Sequence, residues 1–146
     1  MEKDPTLCGG GVLCGSAEAL PFESGRFDGV LIECALSQFE DADAALAECA
    51  RVLKRGGFLA ITDLYARDGA EHPDSCMGRV ESRAALERRL ARWGFAQLLF
   101  EDHSDALTSL WAGAILSGDE SASGLRSAAK AAGMKPGYCL LLGRKP

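Results

Sequence analysis

No stretch of about 18 consecutive apolar residues occurs in the chain, so no segment is suited to crossing a bilayer as a helix. Positive charge is scarce: 16 Lys and Arg stand against 21 Asp and Glu, for a formal net charge of -5. That balance excludes general attraction to nucleic acid or to an anionic membrane surface. The opening residues, Met1 to Thr6, are acidic and polar and lack the basic-then-apolar order of a signal peptide, so a cytoplasmic location is expected. Cys-x-x-Cys pairs are absent. The six cysteines, at 8, 14, 34, 49, 76 and 139, are too dispersed for a zinc site, and reduced, packed thiols are expected. His72 and His103 stand alone and read as surface or capping residues. Internal repeats and linkers are also missing.

What is there fits one soluble domain over residues 1–146, with 47% hydrophobic and 25% charged residues. Val12-Leu13-Cys14 reads as a brief strand. Phe27 to Cys34 is a continuous apolar run, which predicts a strand buried on both faces, the habit of parallel sheets. From Asp41 to Arg55 the apolar positions Leu46, Ala50 and Leu53 repeat with helical spacing, and Gly56-Gly57 stops the helix. Phe58 to Tyr65 is a second buried strand, which completes a βαβ unit.

Residues 66–80, broken by Gly69, Pro73 and Gly78, predict a loop. Ser82 would cap a helix with Leu86, Leu90 and Trp93 inward and Arg83, Arg88, Arg89 and Arg92 on a solvated face. A strand over Ala96 to Glu101 follows, then a helix over Asp105 to Leu116 with Leu107, Leu110, Trp111, Ala114 and Ile115 inward. A short Ala-rich helix ending at Gly133 and a last strand, Tyr138 to Leu142, close an α/β order.

Three segments carry a resemblance. They are Gly15-Ser16-Ala17-Glu18-Ala19-Leu20-Pro21-Phe22 with Phe27-Asp28-Gly29-Val30; Ala44-Ala45-Leu46 through Arg51-Val52-Leu53-Lys54-Arg55-Gly56-Gly57; and the strand Phe58 to Asp63. In this order and spacing they resemble the class I S-adenosylmethionine-dependent methyltransferases, especially the small-molecule branch of ubiquinone and menaquinone biosynthesis. The match runs from about residue 12 to 65. The resemblance implies a partial Rossmann-like methyltransferase fold: a mostly parallel sheet with an antiparallel last strand, and the family's first two strands missing.

The resemblance also implies sites. Gly15, Ser16, Ala17 and Glu18 would bind the cofactor, with the Ala17 N–H at an adenine ring nitrogen and Ser16 where the family commonly has an Asp that accepts from the adenine amino group. A hydroxyl accepts there more weakly than a carboxylate. Glu33 and Cys34 would lie by the cofactor's methionine end, and Asp63, Tyr65 and Cys76 would face the substrate. No residue reads as a general base, and no metal site is expected. The family's Gly-x-Gly-x-Gly loop and the acid for the ribose hydroxyls have no counterpart in these residues. The chain alone is therefore expected to bind S-adenosylmethionine weakly or not at all. The strand Phe27 to Cys34 is expected to keep an open edge, through which the chain would dimerise or meet a complementing chain. Val12 to Cys14 is expected to have no strand to pair with. Two other readings stay open: a non-catalytic remnant acting as an interaction module, and thiol-dependent methylation of a metalloid such as arsenite through Cys34 and Cys76.

Overall fold

The computed structural model describes residues 6–8 and 12–146. In chain order it runs β1 (Thr6–Cys8), β2 (Val12–Cys14), β3 (Phe27–Glu33), a 3-10 turn (Leu36–Gln38), α1 (Ala42–Val52) and β4 (Leu53–Ala66). Then follow β5 (His72–Ser75), β6 (Gly78–Val80), α2 (Arg83–Arg92), β7 (Ala96–Asp102), α3 (Ser104–Leu116), α4 (Glu120–Ala131) and β8 (Pro136–Arg144). Among the described residues no helix is long and apolar enough to cross a membrane.

The main sheet has the order β3-β4-β8-β7. Strands β3 and β4 pair in parallel, and β8 runs antiparallel to both β4 and β7. Thus β3, β4 and β7 point one way, and the amino end of β8 lies beside their carboxyl ends. One face of the sheet is covered. Leu59 and Ile61 of β4 and Leu141 of β8 are fully buried with Leu46 of α1 and Leu90 of α2. Burying each such side chain contributes about 1.5–3 kcal/mol.

Local chemistry sets the helix ends. Asp41 caps α1 by accepting from the Ala44 N–H at 2.9 Å, and Ser82 caps α2 by accepting from Ala85 at 3.2 Å. The last carbonyls of α1 are held by Lys145, whose Nζ donates to Ala50 O at 2.6 Å and to Leu53 O at 2.7 Å. Arg89 ties α2 to the rest: it donates to Asp43 Oδ2 at 2.6 Å and pairs with Glu81, while Trp93 Nε1 donates to Asp43 Oδ1 at 2.8 Å.

Several expectations need correction. Strand β2 does have a partner: it pairs antiparallel with β1, in a two-stranded ribbon outside the main sheet. Cys14 is disulfide-bonded, so the expected set of reduced thiols fails there. Strand β3 is buried on one side only: Ile32 is 6% exposed and Leu31 61%. Side chains alternate across a strand, and the part of the other face that carries Leu31 and the 45%-exposed Phe58 is left exposed. Helix α1 ends at Val52, so Leu53 to Gly57 already belong to β4. Residues 66–80 are not wholly loop, because β5 and β6 form a hairpin. Arg89 is not on a solvated face, as its ion pairs show. Helix α3 buries only Ser104; Leu110, expected inward, is 68% exposed.

A second, smaller core lies beyond the carboxyl end of β4. Met77 and Val80 of the β5–β6 hairpin meet Ala129 and Met134, with Ala66, Leu64 and Trp111 packed against them. The hairpin and the α3–α4 pair thus cap the end of the sheet where open α/β folds place ligands.

Candidate functional site

The turn after β2 is pinned by α1. Glu48 Oε2 accepts from Leu20 N at 2.8 Å, and Arg51 donates to Phe22 O at 2.7 Å and to Leu20 O at 3.0 Å. Arg51 and Glu48 also pair with each other at 2.7 Å. Leu20 and Phe22 are half-buried, and the Phe22 ring meets Phe27 edge-on at 5.0 Å. The turn is therefore a built element, fastened by charge-assisted bonds to its backbone carbonyls.

Within it, Ser16 donates to the Glu18 carboxylate and accepts from the Glu18 N–H at 3.2 Å. Ser16 is exposed, and its hydrogen bond holds the Glu18 carboxyl below its ordinary pKa of 4.5. Glu18 Oε1 reaches the Asp41 N–H at 3.5 Å, at the amino end of α1. This places Glu18 at the end of the sheet where β3 finishes in Glu33 and Cys34. A Cβ on Gly15 would meet only Pro21 Cδ at 3.8 Å, so Gly15 makes no close cradle.

Cys34 stands out. It is the one non-glycine residue with positive φ among the described residues, at +48°. A left-handed residue with a side chain stores of order 1 kcal/mol and persists where its surroundings hold it. Here its N–H donates to Thr62 O at 2.7 Å and its Sγ lies 3.2 Å from Tyr138 Oη. Tyr138 opens β8 opposite Leu64, and Thr62 sits one step along the same face, opposite Leu140 and Glu33. Thr62 Oγ1 is buried and faces the Tyr138 hydroxyl, yet makes no hydrogen bond of good geometry. Burial, then the neighbouring Cys34, push the Tyr138 phenol above its ordinary pKa of 10.0, with Thr62 opposing. The phenol is thus a proton donor at neutral pH.

Asp63, Tyr65 and Cys76 lie elsewhere. Asp63 is 3% exposed on the helix-covered face, where it accepts from Ser37 N at 2.7 Å and Ser37 Oγ at 2.9 Å. The cavity beside it is about 10 Å³, room for one water and for no cofactor. Tyr65 is 7% exposed on that same face, edge-on to Phe100 at 5.3 Å. Burial, then Asp102, raise its pKa. Gly137 gives it room: a Cβ there would lie 2.6 Å from Tyr65 Cε1. Cys76 is exposed on the turn between β5 and β6. Among the described residues no group of three or more His, Cys, Asp or Glu is placed to hold a metal ion.

The site therefore gathers Glu18, Glu33, Cys34, Thr62 and Tyr138 at one end of the sheet. Sequence reasoning missed Thr62 and Tyr138. The available signal for Tyr138 was its place just after the Lys135-Pro136-Gly137 turn: the start of an antiparallel last strand must fall beside the ends of its parallel neighbours.

Residues 2–61 match a family model described as a methyltransferase domain. Over that stretch the chain has partial homology to quinone C-methyltransferases, and its fold is similar to that of class I methyltransferase structures. Among its relatives, the ubiquinone/menaquinone biosynthesis C-methyltransferase UbiE of Rhizobium johnstonii is 48% identical over 53 residues, which is 36% of this chain and 20% of that protein. The malonyl-acyl-carrier-protein O-methyltransferase of Methylococcus capsulatus is 30% identical over 106 residues, covering 64% of this chain and 37% of that one. In solved structures the fold recurs in the cyclase SpnF, at 26% identity and a TM-score of 0.69, over 91% of this chain and 54% of that chain. It recurs too in a putative sarcosine dimethylglycine methyltransferase from Galdieria sulphuraria, at 22% identity and 0.69, over 90% and 57%. The match thus spans about a fifth of the first quinone relative and about half of these structures.

Proposed function

We propose that this chain contributes part of a site for methyl transfer from S-adenosylmethionine to a small molecule, and that it is not competent without further strands against β3. The observation that carries this is the turn at Ser16–Glu18, pinned by Glu48 and Arg51. Within it Glu18 reaches the Asp41 N–H at the amino end of α1, the end of that helix that follows the β3 strand end at Glu33. The residues present fit the cofactor in donor and acceptor chemistry. The Glu18 carboxylate, with Ser16 beside it, accepts from an adenine amino group, and Glu33 accepts from the amino group at the methionine end. When bound, the cofactor supplies an electrophilic methyl group on a sulfonium sulfur. The chain's own part is to hold and orient the two reactants, the main lever for a transfer that needs them in line. The glycine-rich approach to the cofactor has no counterpart among these residues, which is why the expected affinity is low.

The open edge of β3 is where a second copy or a complementing chain would add its strand. A second reading, a remnant that serves as an interaction module, is favoured by the exposed apolar face around Leu31 and Phe58. The cyclase on the same fold is a reminder that fold alone does not set the reaction. Isothermal titration with S-adenosylmethionine separates the two: weak saturable heat supports the methyltransferase reading, and no heat at millimolar ligand supports the remnant.

A further inference from the structure

An apolar rank crosses all four strands of the main sheet. Leu31 lies opposite Ala60, Ala60 opposite Leu142, and Leu142 opposite Leu99. These side chains stand on the face opposite buried Leu59, Ile61 and Leu141. Leu31 and Leu99 are exposed, and Ala60 and Leu142 are half-buried. Two residues to one side lie the exposed Phe58 and, paired with it, Arg144. Two residues to the other side lie Glu33, Thr62, Leu140 and Glu101, in register across the sheet. Leu64, two residues beyond Thr62, packs in the second core and bounds the patch.

The two flanks differ in sign. Arg144 Cζ lies 5.8 Å from the centre of the Phe58 ring, and the guanidinium has no carboxylate partner among the described residues. Glu33 and Glu101 are exposed on the opposite flank, where Glu101 holds His103 at 2.9 Å.

We propose that this patch is a docking surface for a second copy of the chain, packed face to face about a two-fold axis along the Leu31–Leu99 rank. That axis lays the rank on itself and turns the strands of the second copy end for end. Arg144 of each copy then stands over Leu140 of the other, one strand from Glu101, so unlike charges meet twice. A two-fold axis along the strands would instead set Glu101 over Glu33 and the two Arg144 side chains side by side. The net charge of -5 disfavours an anionic membrane or nucleic acid as the occupant. Four strands about 4.8 Å apart and three ranks about 7 Å apart make roughly 400 Å² on each copy. That is about half the area of a standard interface, so the pair is weak and forms only at high concentration. The β3 edge stays open in it, and nothing in the contact rests on the methyl-transfer reading.

Sedimentation equilibrium of the full chain without cofactor, from micromolar to millimolar concentration, tests this. A reversible dimer is expected. Arg144→Glu and Glu101→Arg should each weaken it about tenfold or more, because each sets like charges together twice. The double variant should return to near the parent's affinity. Thermal midpoints serve as the folding control; if Glu101→Arg fails it, Glu101→Gln takes its place and should weaken the dimer less than Arg144→Glu does. A monomer throughout would overturn the proposal. So would a double variant as weak as the singles. A dimer that ignores both charge changes yet is broken by Leu31→Lys would mark pairing through the β3 edge and overturn it too.

Discussion

Cys34 Sγ and Tyr138 Oη lie 3.2 Å apart although 104 residues separate them in the chain. That pairing requires β8 to run back between β4 and β7, and it leaves the thiol exposed. Cys76 is exposed as well, whereas Cys49 and Cys139 are buried, with burial pushing their thiols up to about 11 and about 12. Only thiolates alkylate readily. Iodoacetamide at neutral pH should therefore modify Cys34 and Cys76 in the folded chain and leave Cys49 and Cys139 untouched until denaturant is added, as read by peptide mass spectrometry. Early modification of Cys139 would contradict the packing described.

The turn at Ser16–Phe22 should loosen in acid. The Arg51 hydrogen bond, against some burial, holds Glu48 below 4.5, and the Trp93 bond does the same for Asp43 below 3.8. A carboxylate with a depressed folded pKa adds stability above its unfolded value, and that stability is lost as pH falls through the folded one. Urea midpoints should stay flat above about pH 5 and fall below it, and Glu48→Gln should flatten the slope. An equally steep slope in that variant would show that Glu48 does not contribute.

Asp63 acts as a structural carboxylate in this fold. Asp63→Ala strips acceptors from the Ser37 N–H, the Ser37 hydroxyl and the Leu64 N–H, which lies 2.7 Å away. Each buried donor left unpaired costs about 1–3 kcal/mol, so the variant should be strongly destabilised in thermal or urea unfolding. A variant as stable as the parent would return Asp63 to the list of substrate-facing residues.

Among the described residues β3 is an edge strand of the main sheet. The strand has no proline, and its side chains at Leu31 and the adjoining Phe58 are exposed. Size exclusion with light scattering should give a dimer at high concentration, and Leu31→Lys should shift it towards monomer. A clean monomer for the parent chain would rule out self-pairing and leave the complementing chain.

Most of the fold was readable because local signals agreed with the tertiary outcome. Ser82 caps α2, Gly94 ends it, and Ala96 to Glu101 is a strand, each from chemistry within a few residues. The failures have a common physical origin in contacts distant in sequence. The apolar run at β3 could not reveal that Leu31 would be left exposed, and α3 reads as amphipathic yet fully buries only Ser104. The β5–β6 hairpin depends on Gly78, where the turn itself sets φ at +86° and where a Cβ would also lie 2.6 Å from Ser37 O, a clash with a segment distant in sequence. Of the site, Ser16, Glu18, Glu33 and Cys34 came from motif and strand-end reasoning. Thr62 and Tyr138 could emerge only once the register of β8 against β4 was known.

The pinned turn and the strand end should receive one ligand together. Amide resonances of the chain should be followed while S-adenosylhomocysteine is added. The prediction is saturable binding with a dissociation constant of about a millimolar, and coincident shifts at Ser16, Ala17, Glu18, Glu33 and Cys34. No shift at those residues, or shifts at the turn without the strand end, would contradict it.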